Sequence, residues 1–317
     1  MAATADETLA DEGRRHRQAG AVSIAAGILT IGSGAFAAAV YSDKPTVPVV
    51  DALREQLSAN PPAVGGLKVR EALFYDQHAV TVVLVSVCLA LAAGLMGFAL
   101  SHLYRSVKAR RPEFPRVAVV LAIAGSVLVG VAELTLAISV TVQSHALAAS
   151  AHPTAAAARD ALLPPIALAA GILRQLGVFA LGGGFILIAL NAMRVGLLTR
   201  FMGVLGVIVG GLFIIPLGAS LPIVQAFWLA ALGAMFLHWW PPGLPPAWVT
   251  GEAQPWPTQQ EIREQRSVRK EAAASRSDKL SAPSTRRQRP EPPETPAPEA
   301  PERPAHSSSK KRKRKRR

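Results

Sequence analysis

Six long apolar runs dominate this chain: Ala19–Tyr41, Ala79–Leu103, Val117–Val142, Leu173–Met193, Phe201–Gly218 and Pro222–Trp240. Each reaches or approaches the roughly 20 residues that a helix needs to cross hydrocarbon about 30 Å thick. The expected fold is therefore an all-α membrane protein, a bundle of about six transmembrane helices followed by a disordered basic C-terminal tail.

Charge divides the 317 residues unevenly. A positive mean hydropathy of +0.28 and a net charge of +13 sit oddly together, until the chain is cut at Pro241. The segment 241–317 holds 18 of the 34 Lys and Arg but only 9 of the 21 Asp and Glu. Three parts follow: a cytoplasmic N-terminal segment 1–18, a six-helix transmembrane domain 19–240, and a cytoplasmic Pro-rich, polybasic, disordered tail 241–317. The only cysteine, Cys88, lies inside the second run, so an intrachain disulfide and a cysteine-based metal cluster are excluded.

Basic residues set the orientation. Arg14, Arg15 and Arg17 precede the first run, and Arg105, Lys108, Arg110, Arg111 and Arg116 fill the second connection. Arg194 and Arg200 bracket the fourth. The third and fifth connections are poor in Lys and Arg. In the first, Ser42–His78, four basic residues are accompanied by five acidic ones. Six spans with both termini inside fit every segment. Tyr41, Tyr75, Tyr104, Trp239 and Trp240 at or near span ends agree, because amphipathic rings prefer the headgroup level. A rival reading takes the first run, ending in Ala37, Ala38 and Ala39, as a signal peptide, leaving five spans and the same tail.

Two outer connections carry helical patterns. Val49, Val50, Leu53 and Leu57 recur at helical spacing, a second short helix is expected near Leu67–Phe74, and Thr154 N-caps a third over Ala155–Leu163. Gly206 and Gly210, Gly182–Gly184, and Gly94 with Gly97 predict close helix packing and, more weakly, self-association. Beyond the last run, Leu244–Trp256 with its two tryptophans reads as an interface segment. Thr258–Glu261 has capping-box form and opens a polar helix. Residues 282–305 are Pro- and Glu-rich, an extended linker.

Chemistry is sparse. Glu133 in the third run and Arg174 in the fourth fall at similar depth, and either charge alone near a helix centre costs about 2.5–3.5 kcal/mol. An interhelical ion pair is expected, with Gln175 and Thr135 near enough to assist. It serves either a solute or proton path or helix register, unless Arg174 merely marks the outer start of a shorter span. His78, His145 and His152 have no metal-site spacing, so no metal, cofactor or catalytic residue is expected. A Ser220–His238 hydrolytic pair fails on topology, since the two would stand about 27 Å apart along the sixth helix.

The strongest partner signal is the run Lys310, Lys311, Arg312, Lys313, Arg314, Lys315, Arg316, Arg317. Near an anionic leaflet each such charge gains about 1 kcal/mol, and nucleic acid would be bound without sequence preference.

Asn191–Gly203 (Asn-Ala-Met-Arg-Val-Gly-Leu-Leu-Thr-Arg-Phe-Met-Gly), Pro245–Trp248, Gly251–Pro257 and the loop from Leu103 to Glu113 resemble a family of uncharacterised multi-pass membrane proteins of high-GC actinobacteria. The resemblance covers most of the membrane domain and implies an integral protein of a bacterial plasma membrane; it implies no activity. Two functions stand after this reading. The first is a non-enzymatic membrane organiser or anchor, its partners the bilayer, anionic phospholipid headgroups, nucleic acid through the tail, and further copies of itself. The second is a small-solute or proton-coupled transporter or channel using Glu133 and Arg174.

Overall fold

A computed structural model describes residues 5–45, 50, 54, 57, 67–150, 154–215, 222–241, 243–256, 263–264 and 266–269. The chain divides into a unit Met1–Pro257 and a unit Thr258–Arg317. In the second unit the described positions are helical, and Ser267 Oγ donates to Glu264 O at 2.8 Å.

The first unit contains only helices among its described residues. They are α1 (Ala5–Tyr41), α2 (Leu67–Gln77), α3 (Ala79–Arg110), α4 (Val117–Ala148), α5 (Ala155–Leu162), α6 (Pro165–Arg194), α7 (Arg200–Ile214), α8 (Ile223–Phe236) and α9 (Pro246–Thr250). Four segments are long and apolar enough to cross a membrane: Glu12–Tyr41, Ala79–Arg110, Val117–Ala148 and Ala155–Arg194. The apolar helices α7 and α8 are shorter, with 15 and 14 residues. At 1.5 Å per residue they are about 22 and 21 Å long.

Local chemistry explains these limits. The helix α3 runs on past the expected end at Leu103, through Arg105, and stops at Arg110. There Arg111 leaves the helical region (φ −135°, ψ 85°) ahead of Pro112. Pro165 occupies the first turn of α6, where its missing N–H costs nothing, so that helix begins eight residues before the expected Leu173. Thr199 caps α7, accepting from Met202 N at 3.2 Å, and Ile215 turns extended before Pro216. Phe201–Gly218 is thus helical only to Ile214, and residues 216–221 lie outside the described set. His238, at φ 62°, turns the chain after α8, so Trp239 and Trp240 follow the helix rather than close it.

The apolar helices form a ring in the order α8, α1, α3, α4, α6, α7, with α3 also touching α6 and only a sparse seam between α7 and α8. Small residues allow the close crossings. A methyl group on Gly210 would lie 2.8 Å from Gly182 O, and one on Gly177 2.9 Å from Val129 N. Similarly, one on Gly27 would lie 2.8 Å from Ala226 O, where α1 meets α8. Gly206 and Gly210 therefore serve contacts inside the bundle. The outward surface stays apolar, with Ile28, Leu91, Phe98, Val127, Ile172 and Phe201 exposed. An apolar belt of that kind suits lipid and would be a liability in water.

Most of the core lies toward the end carrying Arg110, Arg116, Arg194 and Arg200, called here the basic end. There the segment after α8 folds back across the bundle. Trp248 Nε1 donates to Leu197 O at 2.7 Å, Trp256 Nε1 to Leu198 O at 2.9 Å, and Gln254 N to Val195 O at 3.0 Å. These carbonyls belong to the turn after α6, where a helix end leaves acceptors unused. Leu244–Trp256 forms a strap across this end, with its Trp248 buried. Gly196 makes this possible: its φ is 78°, and a Cβ there would strike Gln254 O.

At the opposite end α2 and α5 form the cap that the sequence suggests, packing Val69 and Ala72 against Leu147, Ala158 and Leu162. Thr154 Oγ1 accepts from Ala157 N as the N-cap of α5. The helix expected over Val49–Leu57 falls mostly outside the described residues.

Candidate functional site

Between the helices of the ring lies a partly open cavity of about 340 Å³ to which all six apolar helices contribute. Its polar lining comes from Thr30 and Ser33 on α1, Glu133 on α4, Arg174 and Gln175 on α6, and Gln225 on α8. Leu89, Met96, Val178 and Phe213 are among the apolar side chains between them. Along α3, α4 and α6 these positions fall near the middle of each helix, so the cavity sits at mid-depth.

Glu133 and Arg174 meet here: Arg174 Nε donates to Glu133 Oε1. The carboxylate is the more buried partner, its side chain 15% exposed against 47% for Arg174. Pairing offsets much of the cost of placing either charge at this depth. Gln175 lines the same cavity but does not join the pair, and Thr135 turns away, donating to Val131 O at 2.8 Å.

The polar groups around this cavity are only partly used. Among the described residues neither Nη group of Arg174 has a partner, and neither do the amides of Gln175 and Gln225. Thr30 Oγ1 is buried without a hydrogen bond, while Ser33 Oγ donates to Thr30 O at 3.2 Å. Of these groups only Thr30 Oγ1 is fully buried, while Arg174 and Gln175 are exposed; a buried polar group without a partner costs about 1–3 kcal/mol. A polar, roomy cavity resolves that cost by holding water or a polar guest. The shortness of α7 and α8 belongs to the same site. Leu212 and Phe213 in the last turn of α7, Pro222 at the N-cap of α8 and Gln225 in its first turn are lining residues. Both helices end where the cavity begins, and α8 directs the positive end of its dipole toward it.

Asn191, the remaining strong polar residue of the apolar runs, lies elsewhere. At the basic end its Nδ2 donates to Leu187 O at 2.8 Å and its Oδ1 accepts from Arg111 at 3.0 Å. A second charged pair at this end escaped sequence reasoning. Arg110 grips Glu12 through two hydrogen bonds of 2.5 and 2.9 Å, donates to Ala247 O, and stacks over Trp248. His16, His102 and His238 gather beside it around Phe236 and Trp248. Glu12 is one of four acidic residues that precede the arginines of the leader, and nothing in the sequence sets it apart from Asp6, Glu7 and Asp11.

The opposite end holds a smaller network. Lys44 bridges Glu71 at 2.7 Å and reaches Tyr75 Oη at 3.3 Å, while Lys68 takes the other Glu71 oxygen at 2.7 Å. Partial burial alone would raise the Glu71 pKa, but its bonds to Lys44 and Lys68 prevail and hold the carboxyl below its ordinary range. Burial likewise pulls Lys44 down, yet Glu71 and Tyr75 raise it above the usual lysine value. His145 Nδ1 lies 2.8 Å from Asp76, and His78 stacks on Phe74. Among the described residues no cluster has the makings of a metal site. The basic run 310–317 lies outside the described residues.

No family model, curated protein or solved structure matches this chain.

Proposed function

We propose that this chain is a multi-pass protein of a bacterial plasma membrane that binds a small solute bearing an acidic group in its central cavity and moves it across the bilayer. All six apolar helices cross in this reading, and the basic end, with both termini, faces the cytoplasm. The observation that carries it is the convergence of polar side chains on one mid-depth cavity: Arg174, Gln175, Gln225 and the unsatisfied Thr30 Oγ1. Arg174 keeps Glu133 on its Nε and has its outer nitrogens left for a carboxylate or phosphate. A guanidinium fork suits such groups. The N-terminus of α8 adds positive potential from the other side. A site near the bilayer middle, formed where helices stop short, is how secondary transporters commonly hold their cargo. The cavity volume suits a small organic molecule.

The basic half of the bundle is closely packed and strapped by Leu244–Trp256, whereas the cavity abuts the sparse α7–α8 seam. Movement of α7 and α8 against the other four helices would be the simplest way to change access. The anchor reading, with Lys310–Arg317 on anionic lipid or nucleic acid, rests on eight consecutive basic residues. It is compatible with transport as an accessory role.

The test is a thermal-shift panel on the full chain in nanodiscs, using amino acids, small carboxylates and small amines as probes. A site of this chemistry predicts saturable stabilisation by an acidic or zwitterionic probe, about 2.7 kcal/mol at 100 times Kd, abolished in Arg174→Gln. Stabilisation by amines alone, or the same response in Arg174→Gln, would refute the assignment.

A further inference from the structure

Between α1 and α3 at the basic end lies a second, separate pocket of about 220 Å³, lined by Arg15, Gln18, Phe98, Ser101, His102 and Arg105. We propose that it holds the phosphate headgroup of one anionic phospholipid from the leaflet at that end. The proposal is independent of the central cavity and of the tail.

The two helices are antiparallel here, so the start of α1 lies beside the end of α3, as the Glu12–Arg110 contact requires. On the exposed face of α1 the order toward the bilayer middle is Arg14 and Arg15, then Gln18, Ala21, Ala25 and Ile28. On α3 it is Arg105, Phe98, Gly94 and Leu91. Each face therefore passes from cationic through uncharged polar or aromatic to apolar within about four turns. That gradient matches a phospholipid read from headgroup to acyl chain. Ala21, Ala25 and Gly94, on the exposed faces below the pocket, are small and apolar. Phe98, 48% exposed, belongs to the pocket's lining.

Donor chemistry agrees with an anion. Arg15 and Arg105 bring two guanidinium groups, and Gln18 an amide, to the pocket's lining, and the Ser101 hydroxyl donates to Phe98 O at 2.8 Å. Basic pockets between helices on the cytoplasmic side are the usual sites for anionic lipid heads. Guanidinium and phosphate can pair through two parallel bonds. The free phosphate of a soluble metabolite could use the same donors but would gain nothing from Phe98 or from the exposed apolar faces beneath it.

Native mass spectrometry of the full chain from nanodiscs of phosphatidylglycerol and phosphatidylcholine provides the test. The expected result is one retained phosphatidylglycerol per chain, reduced at least tenfold in Arg15→Gln/Arg105→Gln and several-fold in Phe98→Ala. Retention should be restored toward wild type in Arg15→Lys/Arg105→Lys. It should persist when residues 310–317 are all replaced by glutamine, which separates this site from the tail. Unchanged retention in the Arg15→Gln/Arg105→Gln variant, or equal retention of phosphatidylcholine, would overturn the proposal. So would release of the lipid by millimolar inorganic phosphate, because that would identify a site for a soluble anion.

Discussion

Separating Glu133 from Arg174 should harm the protein unequally, depending on which partner is removed. Replacing Glu133 with Gln strands a guanidinium whose side chain is 47% exposed. A charge near a helix centre costs about 2.5–3.5 kcal/mol, and half exposure reduces this to about 1–2 kcal/mol. Replacing Arg174 with Gln strands a carboxylate only 15% exposed, so about 2–3 kcal/mol is expected by the same scaling. The double variant strands neither charge and should lose about 1 kcal/mol, well below the sum of the singles. The coupling energy is then about 2–4 kcal/mol, at or slightly above the upper part of the range for directly interacting residues. Reversible unfolding in mixed micelles, with all four proteins measured in one lipid–detergent ratio, supplies the cycle. Additivity within about 0.5 kcal/mol would show that the pair contributes no coupling. A larger loss in Glu133→Gln than in Arg174→Gln would show that burial does not set the order.

The basic end should depend strongly on Arg110, whose side chain is fully buried against Glu12, Ala247 and Trp248. Arg110→Ala should destabilise by about 3–5 kcal/mol, and Arg110→Lys should recover only part of this because the two-pronged contact is lost; unfolding in mixed micelles checks both. At the opposite end, Glu71 has a depressed pKa in the folded protein. Its stabilisation is therefore complete above the ordinary glutamate range, about pH 4.3, and is lost as pH falls through the lower folded value. Lys44, raised when folded, contributes below the ordinary lysine value and loses that contribution as pH climbs through the folded one. Melting temperature against pH should fall at both extremes for wild type and more shallowly for Glu71→Gln.

Much of this arrangement was legible in the sequence because lipid imposes simple rules. Runs of about 20 apolar residues, basic connections, and a charge in each of two neighbouring runs were enough to locate the helices and to bring Glu133 to Arg174 as an expectation. Helix limits were less legible. Hydropathy marks where the bilayer ends, whereas capping and proline mark where a helix ends, so α3 continues to Arg110 and α6 starts at Pro165. The convergence of Gln175, Gln225 and Thr30 could not be read from the chain, since it depends on ring order and on rotation of each helix about its axis. Nor could the strap: Trp248 and Trp256 resemble interfacial residues by composition, and only the turn at Val195–Thr199 reveals what their indole N–H groups bond. The Glu12–Arg110 pair joins positions 98 apart in sequence, and neither shows a local pattern that would announce it.

Cysteine accessibility tests the hydrated cavity most directly. In a Cys88→Ala background, Thr30→Cys, Gln175→Cys and Gln225→Cys would be treated with a membrane-impermeant thiol reagent, beside Leu100→Cys in the packed basic half as a control. A water-filled solute site predicts rapid labelling at positions 175 and 225, slower labelling at 30, and protection at 100, with an acidic or zwitterionic ligand slowing all three reactive positions. Protection at 30, 175 and 225 alike would mean a dry core and would contradict the proposed solute path.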